Sequence, residues 1–187
     1  MTAFSLLHLA PLFGGVAATL LVWLCVILAV LATTEDQPRL VLPGAFVLLV
    51  GGTSAAAGEL LVPLPAQWWL GVALCALAVA GGGPAAALVL RAATRGGATG
   101  INGGILVGDE PGREVLRGGT TIGYLERIVV VAAALLGRWE LLAVLIAVKG
   151  LGRFRDLDAG AATERFIIGT LVSLIWAGAA AALIALG

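Results

Sequence analysis

Residues 1–34 read MTAFSLLHLAPLFGGVAATLLVWLCVILAVLATT and contain no Asp, Glu, Lys or Arg. Three further stretches are equally free of charge, namely 40–58, 60–90 and 166–187. A helix needs about 20 apolar residues to cross the hydrocarbon core of a bilayer, and these runs are about that long or longer. The sequence therefore predicts an all-α fold, a polytopic transmembrane helical bundle.

The composition leaves little room for a soluble domain. Of the 187 residues 60% are apolar and 12% are charged, so we expect a single transmembrane domain over 1–187. The formal net charge is zero, which argues against nucleic acid as a partner. Cys25 and Cys75 lie in apolar runs without a CxxC or His-rich context, so the sequence predicts no metal site and no cofactor. The N-terminal stretch lacks the basic region of a signal peptide, and we expect it to be retained as the first helix.

Turn and breaker residues divide the chain into six expected spans. We place them at about 12–32, 40–61, 67–90, 118–137, 139–153 and 162–186. Residues 81–84 read Gly-Gly-Gly-Pro and are expected to kink or break the third helix, because proline removes a backbone hydrogen bond. The glycine-rich residues 91–117 predict a cytoplasmic loop. The alternative is a bundle of four full spans in which the fourth and fifth helices form a re-entrant or short pair.

The distribution of arginine predicts the orientation. Arginines are concentrated in the first, third and fifth loops, whereas the opposite side has Arg138 alone. By the positive-inside rule these three loops are cytoplasmic and both termini face the outer side. High Arg, Ala and Gly usage is typical of GC-rich bacterial genomes, so we expect a multi-pass protein of the bacterial cytoplasmic (inner) membrane.

Ionisable residues interrupt the last three apolar segments. Since charge at membrane depth is costly, such residues are candidates for function. We expect six of them to converge in the cytoplasmic half of helices four to six: Glu126, Arg127, Lys149, Arg153, Glu164 and Arg165. One hypothesis is a self-compensated structural cluster, in which Glu126 and Glu164 pair with the bases. The other is that Lys149, Arg153, Arg165 and Arg127 bind an anion such as a lipid headgroup, while Glu126 neutralises a base or carries a proton.

Small residues recur every four positions along one face of the sixth helix. Gly169, Ser173, Ala177 and Ala181 lie on this face and would let another helix approach closely. The pattern favours packing within the chain over a homodimer. Membrane lipids are the expected partners, with a protein partner or a second copy as further candidates.

Part of the C-terminal third resembles a known sequence pattern. The segment GGTTIGYLER at 118–127, then Lys149 and Arg153, then Glu164 and IGTLVS at 168–173, are similar to an uncharacterised bacterial family of multi-pass membrane proteins with the pattern GxxIGxLER, K…R and E…IGTxxS. The resemblance implies that these polar groups belong to one unit. It implies no reaction.

The sequence favours a non-enzymatic membrane protein, a transport-related or complex-forming subunit organised around the polar cluster. The alternative is a membrane enzyme or binder acting on a lipid or prenyl phosphate. In that case Lys149, Arg153 and Arg165 would hold the phosphate and Glu126 would serve as acid or base. The sequence does not decide whether the protein is an enzyme.

Overall fold

The computed structural model describes residues 2–57, 64–93, 118–152 and 160–186, with side chains described over 13–57, 67–93, 119–151 and 163–186. In this part of the chain the fold is all-helical and no strand occurs. A 3-10 turn, Pro38–Val41, precedes the second of six helices: α1 Thr2–Thr34, α2 Leu42–Ala56, α3 Leu64–Ala93, α4 Gly118–Leu135, α5 Glu140–Gly152 and α6 Gly160–Leu186. Most of the expected loop 91–117 lies outside the described residues.

Four stretches of the described chain are long and apolar enough to cross a membrane: Phe13–Thr34, Pro38–Ala56, Gln67–Ala93 and Thr163–Leu186. The prediction of six spans is not confirmed. The 13 residues of α5 rise only about 20 Å, against a hydrocarbon core of about 30 Å. The 18 residues of α4 rise about 27 Å and carry two ionisable residues near the middle. The number of candidate spans agrees with the alternative of four full spans and a short helix pair.

Helix α3 lies at the centre of the bundle. It packs most extensively against α6 and α1, and it also contacts α4. Its span is 56% buried, whereas the other three candidate spans are 17% to 33% buried. Small side chains such as Ala73 and Ala78, which are fully buried, let the neighbouring helices approach α3 closely.

Of the kink or break expected at Gly81-Gly82-Gly83-Pro84, the break does not occur, because α3 continues through Pro84 to Ala93. Pro84 has no N–H for the carbonyl oxygen of Ala80, one turn earlier. Side chains of α6 and α4 donate hydrogen bonds to two nearby carbonyl oxygens of α3, those of Leu77 and Val79, and so join the three helices on this stretch. Pro84 itself is fully buried.

A left-handed glycine ends α4 and turns the chain into α5. Gly137 has φ +64°, and the amides of Gly137 and Arg138 donate to the carbonyl oxygens of Ala134 and Ala133 at 3.1 and 2.8 Å. This is the bonding pattern of a Schellman motif, which satisfies carbonyls at a helix end. Glu140 begins α5, and a hydrogen bond from the Arg138 side chain lowers the pKa of this exposed carboxyl. The short α5 packs mainly against α4.

Candidate functional site

Two adjacent residues of α4, Glu126 and Arg127, are among the most buried ionisable groups of the described chain. Glu126 is 6% exposed and Arg127 is 4% exposed. Successive residues of a helix point about 100° apart, so the two side chains meet different neighbours. Glu126 faces α5, whereas Arg127 faces α3 and α6.

Glu126 forms an ion pair with Lys149 of α5. The Lys149 ammonium donates to the Oε2 atom of Glu126, and it lies 5.6 Å from the ring centroid of Phe166 on α6. A cation over an aromatic face is attracted to it electrostatically. The lysine side chain is 23% exposed and the carboxylate side chain 7%. One ammonium thus connects α4, α5 and α6.

Arg127 is held by neutral groups of the two helices that it faces. Its Nε donates to the carbonyl oxygen of Val79 at 2.7 Å, and its Nη1 donates to the Ser173 hydroxyl at 3.1 Å. The guanidinium carbon lies 5.0 Å from the centroid of the Tyr124 ring. Among the described residues no carboxylate forms an ion pair with this arginine. Hydrogen bonds and an aromatic face therefore offset its removal from water.

The arginine lies deep in the bundle. Its acceptor Val79 is near the middle of α3, about 18 Å along the helix from Arg91 near the end. The second acceptor, Ser173, is near the middle of α6. A charge at this depth is tolerated only where it faces the bundle interior and finds polar partners, as it does here.

Two glycines leave room for the side chain of Arg127. A Cβ atom on Gly82 would lie 2.5 Å from the Cδ atom of Arg127 and 3.1 Å from the Ser173 hydroxyl oxygen. A Cβ on Gly123, one turn earlier on α4, would lie 3.3 Å from Nη1 of the arginine. Gly82 is therefore required for the close approach of α3 to the arginine.

A second close contact lies next to the first, where Trp176 of α6 packs on α3. The indole Nε1 donates to the carbonyl oxygen of Leu77 at 3.0 Å. A Cβ on Gly81 would lie 2.4 Å from a carbon of the indole ring, and one on Gly44 of α2 would lie 3.2 Å from it. Trp176, Tyr124 and these glycines were not among the residues predicted for the site. The signal in the sequence was Gly81-Gly82, a pair that also indicates a helix breaker.

The other residues of the expected cluster are not all brought together. Glu164 is exposed and Arg165 is half-buried, and neither forms an ion pair within the described part of the chain. Arg153 lies outside the described residues. The structure thus joins Glu126 with Lys149 and separates Arg127 from that pair.

The small-residue face of α6 is covered within the chain. Ala177 and Ala181 have no exposed surface and Ser173 is buried. A Cβ on Gly169 would be in van der Waals contact with Leu90 of α3, at 3.4 Å. Three of the four residues of this face are therefore buried inside the bundle, and Gly169 is half-buried.

Over the described residues, no group of three or more His, Cys, Asp or Glu side chains is placed to hold a metal ion. Comparisons of the chain with protein-family models, with curated proteins and with solved structures find no match.

Proposed function

We propose that this chain is a small non-enzymatic protein of the bacterial inner membrane, a transport-related or complex-forming subunit, and that its buried charges hold the helices together. The observation that carries the proposal is the inward direction of these charges. Lys149 pairs with Glu126, and Arg127 donates to Val79 and Ser173. Arg127 is only 4% exposed and the charge of Lys149 is offset by Glu126, so neither group is well placed to bind a substrate phosphate.

The shape of α5 supports the complex-forming part of the proposal. This helix is too short to cross the bilayer core, it packs mainly on α4, and its outer face is apolar. Val144 is 58% exposed, Val148 63% and Leu151 75%. An exposed apolar face marks contact with another protein or with lipid, and for this short helix we assign the contact to another subunit.

One observation favours the second candidate, a binder or enzyme that acts on a lipid or prenyl phosphate. Arg165 is half-buried near the start of α6 and forms no ion pair among the described residues. Such an arginine at the end of a membrane helix can contact a lipid phosphate. The experiment below separates the two candidates.

Exchanging the charges of Glu126 and Lys149 tests the structural role. We expect Glu126→Lys and Lys149→Glu each to lower the free energy of unfolding by about 1–3 kcal/mol, because each leaves like charges facing each other at a buried position. The double exchange should recover at least half of that loss, since it restores an opposite pair. The measurement is unfolding in detergent micelles, followed by tryptophan fluorescence.

The matched control is an exchange at the exposed pair Arg138 and Glu140, where single changes should leave stability close to that of the parent because the pair is exposed to water. If Arg165→Gln leaves stability unchanged but strips bound phosphatidylglycerol from the purified protein, the phosphate-binding candidate is favoured instead. If the double exchange is as unstable as the sum of the single ones, pairing is not the role of these residues.

Cross-linking tests whether a subunit covers α5. In a variant with Cys25 and Cys75 replaced by serine, we expect Val148→Cys to give a cross-linked species of higher mass in native membranes, because the outer face of α5 would touch a partner. The control is Leu49→Cys on α2, which is 68% exposed and lies in a candidate span that lipid can cover. Equal yields at the two positions, or no product at Val148, would count against the complex-forming role.

A further inference from the structure

A cavity lies at one end of the bundle, between the turn that joins α1 to α2 and the last turns of α3. Its volume is about 380 Å³. The lining is partly polar and partly apolar: Asp36, Gln37, Pro38, Arg39, Leu88, Arg91 and Ala92. Neither Glu126 nor Lys149 lines it, so this cavity is separate from the buried charges described above.

One wall of the cavity is held in place by Arg91. The arginine forms an ion pair with the carboxylate of Asp36, and its Nη1 donates to the Asp36 carbonyl oxygen at 3.2 Å. Asp36 has φ +51°, a left-handed conformation that Asp adopts more readily than most residues. The contact joins the α1–α2 turn to α3, so the wall is formed before any ligand arrives.

The cavity has a surplus of positive charge. Arg91 is neutralised by Asp36, whereas Arg39 is exposed and has no ion-pair or hydrogen-bond partner among the described residues. Glu35, one residue before Asp36, is exposed and does not line the cavity. The lining residues therefore carry two positive charges and one negative charge, which leaves one positive charge for a ligand.

The location suits a lipid. The cavity lies where the candidate spans Phe13–Thr34 and Gln67–Ala93 end and where Pro38–Ala56 begins, which is the level of the headgroups. Leu88 lies about one turn deeper in α3 than Arg91 and Ala92, so the lining becomes apolar toward the hydrocarbon core. A phospholipid is arranged in the same way, with its charged phosphate at the headgroup level and its apolar acyl chains in the hydrocarbon core.

We propose that this cavity binds the headgroup phosphodiester of an anionic phospholipid, with the guanidinium of Arg39 as the main contact. A guanidinium can donate two parallel hydrogen bonds to a phosphate, which favours arginine over other cations at such sites. A phosphodiester carries one negative charge, which matches the surplus at the lining. Free phosphate carries more charge and has no apolar part for Leu88 and Pro38. This inference is independent of the role proposed for Glu126 and Lys149.

Lipid binding to the purified full-length protein tests the inference. The probes are phosphatidylglycerol, phosphatidylcholine and inorganic phosphate, and bound lipid is counted by native mass spectrometry from detergent micelles. We expect Arg39→Gln to weaken phosphatidylglycerol binding about tenfold or more, the loss expected for one charge-assisted contact. Phosphatidylcholine has the same phosphodiester, but its choline cation offsets the charge, so it should bind the parent more weakly and lose less affinity on this substitution. Arg39→Lys should retain part of the affinity, because lysine keeps the positive charge but cannot donate two parallel hydrogen bonds to the phosphate.

The matched control is Arg138→Gln, which removes another exposed arginine that does not line the cavity. It should leave phosphatidylglycerol binding within about twofold of the unmodified protein, as expected for a distant exposed charge. Since Arg39 has no partner among the described residues, Arg39→Gln should unfold at the same temperature as the parent when lipid is absent. Equal losses for the two glutamine variants would overturn the site. Displacement of the lipid by millimolar inorganic phosphate would overturn its assignment to a phospholipid.

Discussion

Replacing Gly82 with valine is expected to lower the free energy of unfolding by about 3–5 kcal/mol, the range for a buried charge that loses its partner. The Cβ of the new side chain would lie 2.5 Å from Cδ of Arg127, in the middle of a side chain whose guanidinium is anchored on both sides. The arginine must then leave its acceptors, the Val79 carbonyl and the Ser173 hydroxyl. A buried guanidinium without acceptors has no water to replace them. The measurement is unfolding in detergent micelles, monitored by tryptophan fluorescence.

The control for Gly82→Val is Gly71→Val on the same helix. A Cβ at Gly71 meets no atom within 4 Å, so this change should stay within about 0.5 kcal/mol of the parent. In an Arg127→Ala background, Gly82→Val should lose at least about 1 kcal/mol of its effect, because the clashing atom is gone. Equal effects of the two valine substitutions would show that the arginine does not occupy the position described here.

Replacing Trp176 with alanine is expected to cost about 3–5 kcal/mol as well, the usual range for a large aromatic side chain in a packed interior. Trp176 is 7% exposed, and its ring fills the space left by Gly81 of α3 and Gly44 of α2. Alanine would leave a cavity where three helices meet. It would also remove the donor of the hydrogen bond to the Leu77 carbonyl oxygen. The expected result is a lower unfolding temperature in the same micelle assay.

The matched control is Trp69→Ala, at a tryptophan that is 66% exposed and should contribute less than about 1 kcal/mol. Trp176→Phe should give an intermediate loss, since it keeps most of the apolar volume but not the Nε1 donor. A glycine substitution distinguishes the loss of packing at Trp176 from a general effect of removing a tryptophan. If Gly81→Ala is harmful in the parent but mild in Trp176→Ala, the glycine and the ring occupy shared space. Similar losses at Trp176 and Trp69 would contradict the packing argument.

The outcome for the fourth and fifth helices shows where periodicity and composition stop being informative. The sequence predicts the fifth helix at about 139–153, and the structure places α5 at Glu140–Gly152, one residue shorter at each end. Apolar composition therefore located the helix correctly. Its 13 residues rise only about 20 Å, however, which is too short for a hydrocarbon core of about 30 Å.

The candidate site was predictable in its composition but not in its geometry. Opposite charges on neighbouring helices suggested a contact between Glu126 and Lys149, and the structure places these two side chains together. Arg127 was expected to lie with these two side chains. A helix turns about 100° per residue, so the arginine points instead to α3 and α6. Which of these faces meets which helix is a property of the assembled bundle.

The amino-acid sequence by itself determined that this chain is helical and belongs in a membrane, because long charge-free runs can satisfy their backbone groups in a bilayer only as helices. It also determined which few residues would carry charge inside those helices. Only the tertiary structure decided how each charge is compensated, and why glycines stand next to Pro84 in an unbroken helix. The physical reason is that close packing between helices depends on side chains far apart in the chain, as Gly82 is from Arg127 and Gly81 from Trp176.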